Sequence, residues 1–424
     1  MPALLYLVHR VPYPPNKGDK VRSFHILKRL AREYEVHLGT FADDAADLRH
    51  ADRLRDWCAD VHIQPIRPAW RKLLSLRGLV TGEALTLPFY HSATMARWVR
   101  GKLTGDIDRV VAFSAAMAQY LPRPESGKDH QMRSVVDLVD VDSEKWRAYA
   151  PHHRWPLNWV YAREGRRLLA FERQRAAWHD ATVLVSAKEA QLFRHLAPEI
   201  PGAKIHAVHN GVDACYFSPH DRHPSPYAGD EPVLVFTGAM DYWANADAVQ
   251  WFADEIFPRV LAYEPRARFY IVGARPLPAV ERLGQRPGIH VSGSVADVRP
   301  YLAHARVAVA PLRIARGIQN KVLEAMAMAR PVVATSAAMD GIDIGASLHD
   351  WMADEPGEFA QRCLALLAAP VGDDVGRRGR ELVLRTYSWE ESLTPFMDLL
   401  GSTAMREPAD GLSAPSADAL EARG

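Results

Sequence analysis

The stretch Arg313–Thr335, RIARGIQNKVLEAMAMARPVVAT, decides how the rest of the chain is read. A loop containing Gly317 feeds a helix, the helix carries Lys321 and Glu324, and Pro331 opens an apolar strand. Three residues apart, Lys321 and Glu324 share one helical face. Gly317 and Ile318 stand at the helix start, where free backbone N–H groups and the positive dipole end suit an anion. One face therefore offers a phosphate site, a cation and a carboxylate for hydroxyl groups. A nucleoside diphosphate-sugar requires that set.

Outward from this stretch, short apolar runs alternate with helix-length segments. The strand candidates of the first half are Leu4–Val8, Val36–Thr40, Val61–Ile63, Val110–Phe113, Val135–Val139, Thr182–Val185 and Ile205–Val208. Those of the second half are Val233–Thr237, Phe269–Val272, Ile289–Val291, Val307–Ala310 and Pro331–Ala334. Most are continuous runs, as expected of parallel strands buried on both faces. The rhythm predicts an α/β protein with two doubly wound domains. His220–Glu231, HDRHPSPYAGDE, is polar and rich in turn formers and reads as the linker, with the turn signal Asn210-Gly211 ahead of it. We expect a first domain over 1–215, a second over 230–387 and a disordered tail over 403–424.

A chain of 424 residues, 48% apolar, has material for two or three domains. Its formal net charge of +1 argues against a general nucleic-acid binder. Cys58, Cys215 and Cys363 lie far apart, with no metal spacing and no disulfide framework, which suggests a reducing compartment. Met1–Val8 lacks the basic start of a signal peptide, and no apolar run spans a membrane. A cytoplasmic protein, soluble or peripheral at the inner face of the plasma membrane, is the expectation.

Several segments allow two readings. Asn16-Lys17-Gly18-Asp19 lies between the first strand and a helix, as a phosphate cradle or a plain βα turn. Arg22 reaches the same place or is a solvated helix charge. Asp140 and Asp142 in VVDLVDVDSEKW form either a metal-binding Asp-x-Asp or cleft-lining carboxylates at a strand end, with Asp142 also a helix cap. Asp297 reads as a cap before Val298–His304. Arg67–Val80, RPAWRKLLSLRGLV, mixes four basic residues with Trp70 and three leucines before Gly78. It suits a membrane interface, or a helix covering the first sheet with its charges outward.

The opening stretch resembles the donor-site motif of glycosyltransferase family 4, whose members are GT-B enzymes. NGVD at Asn210–Asp213, FTGAMDY at Phe236–Tyr242 and YSWE at Tyr387–Glu390 resemble further segments of that family. HRVPYPPNKGDKVRSFHIL, VDLVDVDSEKW and GIQNKVLEAMA together resemble the glycosyltransferases of exosortase (PEP-CTERM) exopolysaccharide loci. The resemblance implies a GT-B fold, two Rossmann-like domains facing a cleft, with a closing helix over 388–402 returning to the first. Glu324 matches the Glu that holds the ribose hydroxyls. Arg316 stands where the family has another Glu, and Ala329 where it has Gly. Ser114 takes the place of a His that contacts the transferred sugar. Ala239 and Ala244 replace the Arg and Lys that clamp the diphosphate, so Arg313, Arg316 and Lys321 are expected to supply that charge. Gly18, Gly238, Gly317, Ile318 and Ser294 complete the expected donor site. Asn16, Lys17, Asp19, Arg22 and Ser114 form the acceptor side, and Lys321, Glu324, Arg316, Asp140 and Asp142 the catalytic set.

By the same resemblance, the expected activity is a retaining, metal-independent, hexosyltransferase-type transfer from a nucleotide-sugar to a saccharide acceptor, lipid-linked, in exopolysaccharide biosynthesis. No cofactor is expected besides the donor. The rivals are a GT-B nucleotide-sugar epimerase, a weakly catalytic sugar-nucleotide-binding protein, and a metal-dependent GT-A enzyme.

Overall fold

The computed structural model describes residues 1–15, 18–123, 132–315, 318–345, 351–369 and 374–401. Among the described residues, twelve strands form two sheets. The first contains β1 (Ala3–Val8), β2 (Glu35–Ala42), β3 (Asp60–Pro65), β4 (Ile107–Phe113), β5 (Arg133–Val139), β6 (Ala181–Leu184) and β7 (Ile205–Ala207), in the order β3-β2-β1-β4-β5-β6-β7. The second contains β8 (Val233–Thr237), β9 (Arg268–Val272), β10 (Ile289–Gly293), β11 (Val307–Ala310) and β12 (Val332–Ala334), in the order β10-β9-β8-β11-β12. Every pairing is parallel. All twelve apolar runs of the sequence fall on these strands. Their continuity has the expected cause, since helices cover both faces and Leu4 through Val8 are fully buried.

Each sheet reverses direction once. In the first the reversal lies between β1 and β4, and in the second between β8 and β11. Chains leaving such a pair diverge above and below the sheet, so a crevice opens at the carboxyl ends of the strands. The two carboxyl edges face each other. Lys188, just beyond β6, lies 3.4 Å from Asp340, just beyond β12.

After the second sheet the chain returns. Trp389, Leu393, Phe396 and Met397 of the helix Trp389–Leu399 pack into the core around Leu4, Tyr6 and Val36. The Trp389 ring stacks on His25 at 4.5 Å, and Glu390 meets Arg29 and Arg32. Gly211 lies beneath this crossing. A Cβ there would stand 2.6 Å from the Trp389 backbone, so only glycine lets the two segments touch.

The helix Asn320–Ala327 ends with Ala329 at φ +52°. A left-handed residue just past a helix is a place for glycine. The resemblance puts Gly here, and this chain carries Ala at a conformational cost.

Candidate active site

At the reversal in the second sheet, β8 runs into Gly238 and β9 into Gly273. A Cβ on Gly273 would sit 1.7 Å from the Gly238 carbonyl oxygen, so the two loops are in direct backbone contact. Gly238 N donates to Val272 O at 3.0 Å and Met240 N to Ala274 O at 2.8 Å. Lys321 enters this floor from its helix. Its Nζ stands 4.4 Å from the centre of the Phe236 ring and donates to Asn245 Oδ1. The Asn245 Nδ2 donates to Ala239 O at 2.9 Å. That bond fixes the amide orientation, because a carbonyl can only accept, so the oxygen must face the lysine. A Cβ at Gly238 would stand 2.8 Å from Asn245 Nδ2 and 3.2 Å from Lys321 Nζ.

Lys321 and Glu324 are half-buried, one helical turn apart. Burial pushes the ammonium down to about 7 against the pull of Glu324. It pushes the Glu324 carboxyl up to about 7 against the pull of Lys321. Two opposite charges thus line a crevice that solvates each of them poorly. Tyr216, between β7 and the linker, lies within the field of Glu324. Its phenol is raised by burial first, then by Asp297, with Arg299 opposing and Glu324 adding. Arg299 stacks 3.8 Å over the Tyr216 ring and is held by Asp297 at 2.7 Å. Asp297 Oδ1 also accepts from Arg299 N at 2.9 Å, but the helix is Arg299–His304 with Val298 at its N-cap, so Asp297, the expected cap, stands one residue ahead of the cap position. Ser294, exposed, follows β10.

The reversal in the first sheet is flanked by His9 after β1 and Ser114 after β4, since Val8 pairs with Phe113. His9 stacks on Phe113 at 5.7 Å and meets Tyr90 edge-on. Its Nε2 is 3.4 Å from Asp19 Oδ2. Asp19, in the first turn of the helix Gly18–Leu30, also accepts from Arg10 at 3.1 Å, and Arg10 reaches Asp43 at 2.9 Å. Burial opposes ionisation of Asp19, but His9 and Arg10 outweigh it and hold the carboxyl well below its usual range. Burial pushes the Tyr90 phenol up to about 12. Asp140 and Asp142, at the carboxyl end of β5, share Lys145 at 2.8 and 3.0 Å.

Several expectations need correction. Arg22 is 1% exposed and makes no acceptor surface. Its guanidinium meets Asp137 at 2.9 Å, Val208 O at 2.9 Å and Asn210 Oδ1 at 2.9 Å. Asp142 does not cap a following helix. The helix Asp142–Tyr149 begins at Asp142 itself, and Glu172 binds the Ser143 amide. Arg313 is held on the surface by Asp247, beside Trp251, and not beside Gly238. Ile318 is half-buried ahead of the Lys321 helix. Asn16, Lys17, Arg316 and Gly317 lie outside the described residues, as does the tail over 403–424. Sequence reasoning missed Asn245, Tyr216, His9 and Tyr90. His9 alone carried a signal, its place one residue beyond a strand that ends at a reversal.

Residues 231–369 match the family described as Glycosyl transferases group 1, a span holding the whole second sheet and the Lys321 helix. A glycosyltransferase from Rickettsia africae ESF-5 aligns over 94% of this chain and 98% of its own, with TM-score 0.60 and 12% identity. Anabaena Alr3699/HepE, in complex with UDP and glucose, aligns over 95% and 100%, with TM-score 0.58 and 14% identity. Sucrose-phosphate synthase from Thermosynechococcus elongatus aligns over 94% and 98%, with TM-score 0.63 and 15% identity. No curated protein matches the chain in sequence. The fold is GT-B, which removes the GT-A reading. With its group 1 domain, the chain is a glycosyltransferase of that architecture.

Proposed function

We propose that this chain transfers a hexose from a nucleoside diphosphate-sugar to a lipid-linked saccharide in exopolysaccharide assembly, with retention of configuration and no metal. The observation that carries the reading is the pairing of Lys321 and Glu324 on one helical face beside Gly238, at the reversal of the second sheet. Lys321 offers its ammonium to the diphosphate as charge develops on the leaving group. Glu324 accepts from the ribose hydroxyls, and Ser294 and Tyr216 border the base. Amides around Ile318 complete the anion site. On the first domain, Ser114, Asp19, Asp140 and Asp142 border the acceptor, with His9 beside Ser114. Closure of the cleft would exclude water from the reacting sugar.

The relative that holds UDP and glucose makes uridine nucleotides the first to try. The test is a thermal-shift and nucleotide-release assay across nucleoside diphosphate-sugars, with and without acceptor. We expect one donor to raise the melting temperature. Lys321→Ala and Glu324→Gln should each weaken that donor by roughly tenfold. Acceptor-independent consumption of donor would replace transfer with epimerisation, and donor binding without turnover would leave only a binding protein.

A further inference from the structure

We propose that the helices Pro68–Ser75 and Arg77–Thr81, with the segment 149–159, form a docking face for an anionic lipid bilayer. Both helices are turned inside out. In the first the buried residue is Ser75, while Trp70 is 59% exposed and Leu73 and Leu74 also point outward. In the second the buried residue is Gly78, and Val80 is 91% exposed. A helix that merely covered a sheet would do the reverse.

The second segment adds Tyr149, Leu157 and Trp159, with Trp155 at 81% exposure. Together the two segments hold nine of the eighteen large apolar side chains exposed among the described residues. Scattered apolar residues are ordinary on a surface, but this concentration is not. The segments are neighbours. Arg163, one helical turn beyond Trp159, donates to Gly78 O at 2.6 Å and to Glu83 O at 3.1 Å. Glu164 accepts from Leu85 N at 2.6 Å and Thr86 N at 3.0 Å.

Charge selects the occupant. Residues 67–82 contain no acidic side chain, and the exposed Glu83 just after them is the one acid at the junction of the two segments. The only acid in residues 149–167 is Glu164, which is buried. The exposed charges are Arg67, Lys72, Arg77, Arg154, Arg166 and Arg167. Exposed Trp and Leu fringed by six cations against the single exposed Glu83 fit the boundary between anionic headgroups and acyl chains. No helix among the described residues is long and apolar enough to cross a membrane, so such a contact lies at the surface.

The location has a use. The helix Pro68–Ser75 follows the carboxyl end of β3, and residues 149–159 follow the helix that leaves β5. The face therefore flanks the edge of the first sheet that carries His9 and Ser114. This step rests on the lipid-linked acceptor proposed above, because a docked enzyme would receive such a substrate from the bilayer beside that edge.

The test is sedimentation of the full chain with vesicles of phosphatidylcholine alone or mixed with phosphatidylglycerol. We expect binding to the mixed vesicles only, weakened by salt. The paired variants Trp70→Ser/Leu73→Ser and Trp155→Ser/Trp159→Ser should each reduce binding about tenfold or more, with unchanged melting temperature and UDP response. If either pair unfolds the chain, Arg67→Ser/Arg77→Ser provides the same comparison. Equal binding to neutral vesicles, or full retention by the variants, would overturn the proposal. So would a dimer that both pairs abolish, because a second copy would then cover the face. Vesicle binding without any nucleotide response would leave this surface standing and sink the glycosyl-transfer reading instead.

Discussion

Arg22 and Asp137 form an ion pair at 2.9 Å, almost fully buried, although 115 positions separate them. The same guanidinium holds Val208 O and Asn210 Oδ1, so one side chain ties the first helix, β5 and the segment just beyond β7 together. Burial raises the Asp137 carboxyl and Arg22 opposes that rise. Arg22→Met would leave the carboxylate without a countercharge in the core, holding only the Val139 N–H at 3.0 Å. We expect a loss of about 3–5 kcal/mol in urea unfolding, much of it recovered by Arg22→Met/Asp137→Leu. A loss below about 1 kcal/mol for the single change would contradict this view of the pair.

Ala329→Gly should stabilise the chain. The left-handed backbone at φ +52° costs an L side chain about 1 kcal/mol, which glycine escapes. The expected gain is about one degree in melting temperature, because the greater freedom of glycine in the unfolded chain takes back part of the benefit. Differential scanning of the variant beside the parent decides it. A fall in melting temperature would show that the strain is not there.

Nucleotide binding should take up a proton at pH 8. Burial holds Lys321 at about 7, so at pH 8 it is mostly neutral before a nucleotide binds. A diphosphate beside it favours the charged form and draws a proton in. Glu324, at about 7, is largely ionised by then and has little to release. Calorimetry of UDP binding in buffers of different ionisation enthalpy should report uptake approaching about one proton, abolished by Lys321→Met. Buffer-independent heats would rule the mechanism out.

Glu172 makes a different pH prediction. It is buried against Ser143, accepting from Oγ at 2.6 Å and from N at 3.3 Å. Burial lifts its carboxyl to about 8, with Asp142 and Glu144 adding to the rise and Ser143 opposing it. Between the unfolded value of 4.5 and about 8, the native chain keeps a proton that the unfolded chain has lost. Stability contributed by this group therefore falls as pH rises through that window. Glu172→Gln should flatten the decline, leaving the variant the more stable by roughly 1 kcal/mol or more above pH 8. Parallel curves for the two proteins would reject the assignment.

The strands were readable because a parallel strand buried on both faces is a run of Val, Leu and Ile, a local property of the chain. Lys321 and Glu324 were readable because helical spacing alone puts them on one face. Arg22 was not, since a basic residue early in a helix looks the same whether it meets water or a carboxylate from a distant strand. Asn245 was hidden for a related reason. Its value lies in bonds to Ala239 and Lys321, and the second partner is far away in sequence. His9, Tyr90 and Asp19 converge only after three separate segments pack together, so no spacing announces them. Arg313 misled because its charge was visible and its partner Asp247 was not.

The helix that carries Trp389, Leu393 and Phe396 has a bearing on biosynthesis. The N-terminal lobe lacks part of its core until Trp389–Leu399 has been made, so its final consolidation waits for synthesis of the whole second sheet. A premature stop before Trp389 would leave greasy side chains of that lobe facing water, inviting aggregation.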